Sequence, residues 1–324
     1  MTQKQDTVES FGTPSALRRI GDTLINFFKQ MAQRRVAFVS MIIVFVFIFI
    51  AVVGPLIAPY EFDEILRGDD RRLLRNNPPS IAHIMGTDSR GRDIFSRILW
   101  GARETIGLPA VATTVAVMLG TGLGLTSGYY GGWVDEVLSR ITDSLLAIPA
   151  LVLALVMITT IVPILSDTSN RLISPLVNTV GETAISLTIV VVLLYTPIVT
   201  RVVRSATLSV RDSGYIEAAK LRGESSLYIM FREIFPSVLP ALVVEASLRL
   251  SYAIFLIASL GFLGLGVQPP SPEWGRMVFD ARDFIETAPW TMLFPIMAIA
   301  ILIISINLMS DGLRRVLRNE DGRE

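Results

Sequence analysis

The sequence predicts an all-α protein that crosses a lipid bilayer six times. Hydrophobic residues make up 51% of its 324 residues and charged residues only 18%, whereas soluble domains carry about 25% charge. The mean hydropathy is +0.55. Several charge-free apolar runs approach or exceed the roughly 20 residues that a helix needs to span the hydrocarbon core.

The first predicted elements are a cytoplasmic N-terminal segment, 1–35, and a first span, 36–59. The apolar residues ahead of the span recur at helical spacing: Leu17, Ile20, Leu24, Phe27, Phe28 and Met31. This pattern is typical of an amphipathic helix, lying either on the membrane surface or against the protein's own helices. The run 36–59 is too long and begins too late for a cleaved signal peptide, so we interpret it as an anchor.

An outer loop, 60–103, and a transmembrane region with five further spans, 104–312, follow. The predicted spans are 105–134, 144–166, 183–200, 237–272 and 288–310, and the chain ends in a tail, 313–324. Six spans place both termini on one side of the membrane. The segments that then face inward hold the larger share of Lys and Arg, so both termini are predicted to be cytoplasmic.

Glycine and proline residues within the spans indicate packing and kinks. Gly120, Gly122 and Gly124 predict a close approach of a second helix, because small residues let helix backbones come together. The proline residues predicted to lie inside spans are Pro149, Pro197 and Pro295. Each is a candidate kink or hinge.

The cytoplasmic loop 201–235 is predicted to contain two short helices. The first covers 215–221, and Gly223 ends it in the left-handed conformation. Ser225 or Ser226 caps a second helix, 227–235, which ends because Pro236 disfavours continuation. The loop is either a plain connector or a rigid knob for a partner, to which Ala218 and Ala219 would allow close approach and Glu217 would offer a charge.

Composition excludes several classes of site. The 29 basic residues balance the 29 acidic ones, which argues against nucleic-acid binding driven by bulk charge. Without cysteine there is no disulfide, thiolate zinc site or cysteine nucleophile, and with a single histidine, His83, no multi-histidine metal site. No lysine lies in a phosphate-binding glycine loop. We therefore predict no catalytic residue, no metal site and no cofactor in this chain.

The loop 201–235 resembles the EAA loop of binding-protein-dependent ABC importer permeases. It carries Glu217-Ala218-Ala219, then Gly223, and later Ile234-Phe235-Pro236, where the family usually has Ile-Leu-Pro. Three further stretches resemble the dipeptide/oligopeptide/nickel group, and the long outer loop resembles its C-type permease. These stretches are MGTDSRGRDIFSR at 85–97, GYYGGWVD at 128–135 and GFLGLGVQPPSPEWG at 261–275.

The resemblance implies a type I ABC importer permease fold in the bacterial inner membrane. Its implied partners are a second permease, usually a different chain, two ATPase subunits that bind ATP and Mg, and a periplasmic solute-binding protein. The implied cargo is di- or oligopeptides, with nickel or another small solute as the alternative. A more distant alternative for the protein as a whole is an ion-coupled secondary transporter. The residues implied to couple transport to the ATPases are Glu217, Ala218, Ala219, Gly223, Ile234 and Pro236.

Two other groups of residues are candidates for function. Glu245 and Arg249 lie one turn apart within a predicted span, where arginine costs about 2.5–3.5 kcal/mol on insertion scales, so they should face protein or water. They either line the translocation path or neutralise each other against a neighbouring helix. The outer motif is predicted to brace the outer loop, rather than to bind a metal through His83. This motif comprises Gly86, Thr87, Asp88, Gly91, Arg92 and Asp93.

Overall fold

A computed structural model describes residues 34–68, 70–166, 177 and 181–321. The predicted amphipathic helix ahead of the first span lies outside these residues. The described residues are helices and connecting loops, with two isolated bridges, Arg67 to Leu73 and Thr87 to Asp93, in place of any strand. The predicted all-α fold class is therefore confirmed.

Nine helices longer than a single turn occur in the described part of the chain. They are α1 Arg35–Ile57, α2 Ile94–Tyr130, α3 Gly132–Leu146, α4 Ala150–Ser166, α5 Glu182–Val210, α6 Gly214–Leu221, α7 Ser226–Phe262, α8 Trp274–Ala281 and α9 Trp290–Asp321. Helices α1, α2, α5, α7 and α9 are long and apolar enough to cross a membrane. Helices α3 and α4 form a bent pair, at 89°, that makes a sixth span if the two are counted together.

The break between α3 and α4 corrects the predicted span 144–166. Pro149 lies in the break and not within a helix, because proline has no N–H to donate and disfavours the helical conformation of the residue before it. The chain resumes as a helix at Ala150, and the Leu153 N–H donates to the Pro149 carbonyl at 3.0 Å. Pro197 and Pro295 lie inside α5 and α9, as predicted.

Several further boundaries differ from the predicted ones. The predicted span 183–200 continues as α5 to Val210, and the predicted span 237–272 ends at Phe262. Helix α2 begins at Ile94, inside the predicted loop 60–103, because the Asp93 carboxylate accepts a hydrogen bond from the Ser96 N–H at 2.8 Å and caps it. Helix α9 continues past 312 to Asp321. Charged residues do not prevent these extensions, because arginine is a good helix former in its own right.

Helices α2 and α5 pack along a groove of glycines. A Cβ atom on Gly120, Gly124 or Gly128 would lie 2.6 Å from a side-chain carbon of α5, and the α5 residues met in turn are Val199, Val203 and Thr207. Gly122 has nothing within 4 Å of its Cβ position. The predicted close approach is therefore confirmed at Gly120 and Gly124, but Gly122 lies on another face and Gly128 completes the groove.

One buried cluster joins this helix pair to the loop 201–235. Its residues come from α2, α5, α6 and α7: Leu125, Val199, Val203, Ile216, Ala219, Ile229, Met230, Ile234, Val238 and Leu242. The loop is thus part of the same packed body as the spans. Elsewhere, α1 leaves large apolar side chains such as Val52 (72% exposed) and Leu56 (84% exposed) uncovered, as expected of a helix surrounded by lipid.

Candidate functional site

The first helix of the loop 201–235 forms as predicted. Helix α6 covers Gly214–Leu221, and the N–H groups of Ile216 and Glu217 both donate to the Ser213 carbonyl. Gly223 follows with a φ of 77°, a left-handed conformation that favours glycine. The Gly223 and Glu224 N–H groups donate to the carbonyls of Lys220 and Ala219, which satisfies the end of the helix.

The second predicted helix is longer than expected. Ser225 caps it, since its hydroxyl accepts a hydrogen bond from the Tyr228 N–H at 3.3 Å. The prediction that it ends at Pro236 is wrong, because α7 runs without interruption to Phe262. A π-helical stretch, Ile229–Ile234, ends two residues before Pro236. Its wider turn makes room for the proline ring, which would clash with a carbonyl four residues earlier in an α-helix.

The implied coupling residues fall into an exposed and a buried group. Glu217, Ala218, Gly223 and Pro236 are exposed. Ala219 and Ile234 are fully buried in the protein's own core (0% exposed), so the expectation that Ala219 admits a partner's backbone is wrong. These two residues instead fasten α6 to the spans, and its outward face is Glu217 and Ala218.

Sequence reasoning missed an apolar surface around this exposed group. Leu221 is 89% exposed, Leu227 65%, Phe231 54% and Tyr215 45%. Leu227 and Phe231 lie four residues apart on α7, which puts them on one face of the helix. The four-residue spacing of these apolar side chains is visible in the sequence. It is equally typical of a helix face that packs against the protein's own core. An exposed apolar patch rimmed by charges is typical of a protein-binding surface.

Ion pairs and polar contacts hold the loop rigid. Arg222 pairs with Glu224 at 3.6 Å and with Glu233 at 3.4 Å, across the turn at Gly223. At the C-terminal cap of α5, Arg211 donates to the Gly128 carbonyl at 3.1 Å. Nearby, Arg204 pairs with Asp135 of α3. The ends of α2, α3 and α5 that lie beside α6 are therefore tied to one another.

The outer motif braces the outer loop against α2. The Asp88 carboxylate accepts hydrogen bonds from the Arg92 backbone N–H at 2.9 Å and from its Nε at 2.7 Å. Gly86 and Gly91 both have positive φ, at 77° and 83°. Arg97 of α2 donates to the Phe62 carbonyl at 2.6 Å. These contacts fix the loop in one conformation.

A buried carboxylate holds His83 in the outer motif. The His83 Nδ1 lies 3.1 Å from an Asp93 carboxylate oxygen, and the other oxygen of Asp93 accepts the Ser96 hydroxyl at 2.8 Å. The side chains of Asp93 and Ser96 are buried. Among the described residues there is no group of three His, Cys, Asp or Glu side chains that could hold a metal ion. Thr87 donates its hydroxyl to the Leu74 carbonyl and completes the motif.

The stretch 261–275 closes over the outer end of α2. The carboxylate of Glu273, 1% exposed, accepts hydrogen bonds at 2.8 Å from the N–H groups of Gly275 and Arg276, and so caps α8. Burial raises the pKa of Glu273 to about 7, and the nearby Glu104 adds to the rise. The Trp274 indole donates to the Ile98 carbonyl at 3.1 Å. Glycine is needed at 261, since a Cβ there would lie 2.7 Å from the Glu273 carboxylate.

The charged pair within the spans is also present. Arg249 Nε lies 2.7 Å from Glu245 Oε1, and the two side chains are 15% and 11% exposed. The Arg249 guanidinium lies 4.9 Å from the ring centre of Tyr252 and 5.8 Å from that of Tyr195 on α5. The pair therefore lies between α7 and α5 rather than facing lipid.

The sequence matches two family descriptions. Residues 120–319 match the binding-protein-dependent transport system inner membrane component, and residues 24–79 match the N-terminal transmembrane domain of oligopeptide transport permease C.

Curated relatives cover nearly the whole chain. The dipeptide transport system permease protein DppC of Alkalihalophilus pseudofirmus is 40% identical over 290 residues, which cover 90% of this chain and 88% of that protein. The glutathione transport system permease protein GsiD of Pectobacterium atrosepticum is 36% identical over 291 residues, covering 90% and 89%. The DppC protein of Haemophilus influenzae is 33% identical over 300 residues, covering 91% and 94%.

A solved structure shares the fold. An inward-facing conformation of the MetNI methionine ABC transporter superposes with a TM-score of 0.51 and 21% sequence identity. The match covers 67% of this chain and 94% of that one. At this identity the likeness concerns the fold alone.

Proposed function

The chain belongs to the binding-protein-dependent transport system inner membrane components of the ABC importers. On that premise we propose that it transports peptides and that ATPase subunits transmit their motion to it through α6. The observation that supports the drive is the two-sided nature of this helix. Glu217 and Ala218 face outward, while Ile216 and Ala219 are buried in the cluster that contains α2, α5 and α7. A force applied to the exposed face of α6, at Glu217 and Ala218, would therefore reach the membrane spans.

The motor would consist of other chains. Two ATPase subunits would bind ATP and Mg, and each would hold one coupling helix, which is α6 in this chain, in a surface groove. The apolar side chains Leu221, Leu227 and Phe231 would bury against that groove, and the exposed Glu217 would meet a basic group. A second permease, a different chain, would supply the other coupling helix, and a periplasmic solute-binding protein would deliver the cargo.

The proposed orientation in the membrane rests on the distribution of Lys and Arg residues between the two sides. With both termini in the cytoplasm of a bacterium, α6 lies on the ATPase side of the inner membrane and the outer motif lies in the periplasm. The outer motif and α8 would then form the rigid rim that receives the binding protein. Lys and Arg residues are most frequent in the segments that this orientation places inside, including 201–232.

Transport would proceed by rocking of packed bodies. Closure of the ATPases on ATP draws the two coupling helices together, and each pulls on its own cluster of buried residues. Because that cluster is densely packed, it moves as a unit and the spans change from inward-open to outward-open. In this chain α6 transmits the motion and takes no part in ATP chemistry.

Short peptides are the cargo class that we propose. The relatives are named for transport of dipeptides and of glutathione, which is itself a short peptide, and both align with the chain over most of its length. The binding protein would select among peptides, while the permease would provide the path.

The test is to separate ATP hydrolysis from uptake in a reconstituted complex. Gly223→Pro removes the left-handed turn, because proline fixes φ near −65° whereas Gly223 has a φ of 77°. Glu217→Lys reverses the outward charge. We expect each variant to insert and assemble but to lose peptide-stimulated ATPase activity and uptake by at least tenfold.

Glu136→Lys is the matched control, since Glu136 is an exposed acid on α3 whose side chain is 68% exposed. It should retain wild-type uptake and ATPase activity. Peptide-stimulated hydrolysis at the wild-type level in the Gly223→Pro complex would refute the coupling role of this loop. Uptake that survives ATP depletion would refute the ATP-driven class.

A further inference from the structure

An arginine in the middle of a membrane span is incompletely paired. Arg249 lies about 20 Å along α7 from its end at Phe262, which is near the centre of a bilayer. Its Nε approaches Glu245 Oε1 to 2.7 Å, yet neither atom has a hydrogen-bond partner among the described residues. The other guanidinium nitrogens and the second carboxylate oxygen make no hydrogen bond to a described residue either.

Such a pair is not explained by neutralisation alone. Guanidinium presents five N–H donors, and in Arg249 only the Nε is a buried atom without a partner, so the Nη donors stay accessible. A purely structural pair would be expected to align for two parallel hydrogen bonds. Here the carboxylate holds the charge in place and leaves most of the donors unused, which indicates a group that binds something else.

The surroundings direct the guanidinium towards an open face of α7. Tyr252 is 46% exposed and its ring lies 4.9 Å from the guanidinium, while the buried Tyr195 supports the other side. An exposed phenol beside a guanidinium within a span is typical of a wall that meets water or a partner helix rather than lipid.

We propose that Arg249 is a subsite for the carboxylate of the passing peptide, oriented by Glu245 and by the rings of Tyr195 and Tyr252. A planar guanidinium can bind a carboxylate through two parallel hydrogen bonds, using the donors that the protein leaves free. Because Glu245 balances the charge at rest, the incoming carboxylate exchanges for part of that pairing. The subsite therefore binds weakly enough to release its ligand. This inference rests on the proposed peptide import.

The experiment compares two probes in the reconstituted importer. The probes are trialanine and trialanine amide, which differ only in the terminal carboxylate. ATP-dependent uptake of each is measured for the wild type and for Arg249→Gln, and the ratio of acid to amide is compared between the two proteins. The binding protein is the same in both, so its own preference cancels in this double ratio.

We expect Arg249→Gln to reduce uptake of trialanine at least tenfold and to change uptake of the amide by less than twofold. Arg249→Lys, which keeps a charge without the planar fork, should restore part of the preference. Ser247→Ala is the matched control, because Ser247 lies on the opposite face of α7 and its hydroxyl donates to the Val243 carbonyl of its own helix. It should leave both uptakes unchanged.

An equal loss for both probes in an assembled Arg249→Gln complex would overturn the subsite, since it would indicate a structural role. An unchanged double ratio without any loss of uptake would overturn it as well. In either case, uptake of trialanine by the wild-type complex would leave the proposed peptide function standing. If the wild type takes up neither probe although ATP hydrolysis is stimulated by another solute, the proposed peptide function itself fails.

Discussion

Replacing Gly124 with alanine tests whether the glycine groove holds α2 and α5 together. The new Cβ atom would lie 2.6 Å from the Val203 Cβ and 2.7 Å from the Thr200 carbonyl oxygen. Ordinary contacts between such atoms begin near 3.4 Å. The helices must therefore move apart by about 1 Å, and overpacking of this kind costs typically ~1–3 kcal/mol.

Gly122→Ala is the control, because nothing lies within 4 Å of its Cβ position on the same helix. In the helix interior alanine is favoured over glycine by about 1 kcal/mol. Both variants gain this helix preference, so they should differ by about 1–3 kcal/mol in the free energy of unfolding, which is the overpacking cost alone. With an unfolding entropy of about 2.1 cal/mol/K per residue, each kcal/mol shifts the melting temperature of a chain of 324 residues by about 1.5 °C.

The assay is thermal unfolding of the purified complex in lipid nanodiscs, followed by circular dichroism, with peptide uptake measured in parallel. Val203 belongs to the cluster that also contains Ile216 and Ala219 of α6. Gly124→Ala should therefore lower both the melting temperature and the uptake per ATP hydrolysed. Equal melting temperatures for the two alanine variants would refute the groove as the reason for this packing.

Three further outcomes follow from the geometry. Ala218→Leu, on the exposed face of α6, should keep the wild-type melting temperature and lose ATPase coupling, whereas Ala219→Leu, in the core at 0% exposure, should lower the melting temperature; the reverse pattern would contradict the assigned faces. Glu273 has a pKa raised from 4.5 to about 7, so the folded state holds a proton that the unfolded state has released, and stability should fall by about 3 kcal/mol as pH rises from 4.5 to 7. Melting curves at pH 5 and 8 should show this loss in the wild type and a smaller one in Glu273→Gln. Asp135→Asn should cost about 1–2 kcal/mol because it leaves Arg204 without its charged partner, and the double variant Asp135→Leu/Arg204→Met should recover part of the loss in thermal unfolding.

The order of the spans and the turn at Gly223 could be predicted from the sequence because both depend on local composition. A long apolar run crosses a membrane wherever it occurs, and only glycine readily adopts a φ of 77° after a short helix. The predicted helix 215–221 matches α6 for the same reason.

Pro236 shows where local rules fail. A proline after a short helix predicts that the helix ends there. The π-helical stretch Ile229–Ile234 instead accommodates the proline, which has no N–H to donate, and α7 continues to Phe262. That stretch is stabilised by Ile229, Met230 and Ile234, which are buried in the central cluster. Burial against distant residues overrode the local preference.

Which side of a helix is buried and which is exposed could likewise not be predicted from the sequence. Ala218 and Ala219 are identical side chains next to each other, and only packing against Val199 and Val203 decides which of them a partner can reach. The burial of Glu273 could not be predicted, because its cradle is formed by Gly261 in the preceding helix and by the loop itself. The free donors of Arg249 are similarly a matter of orientation.

The sequence by itself determined that this protein resides in a membrane, roughly where its helices cross it, and that its loop 201–235 turns at a glycine. Hydropathy and backbone sterics act over a few neighbouring residues, so both can be predicted locally. The tertiary structure alone decided which glycines meet another helix, which alanine faces outward, and how a buried carboxylate and a mid-membrane arginine are surrounded. Those properties depend on atoms that are far apart along the chain and are brought together only by packing.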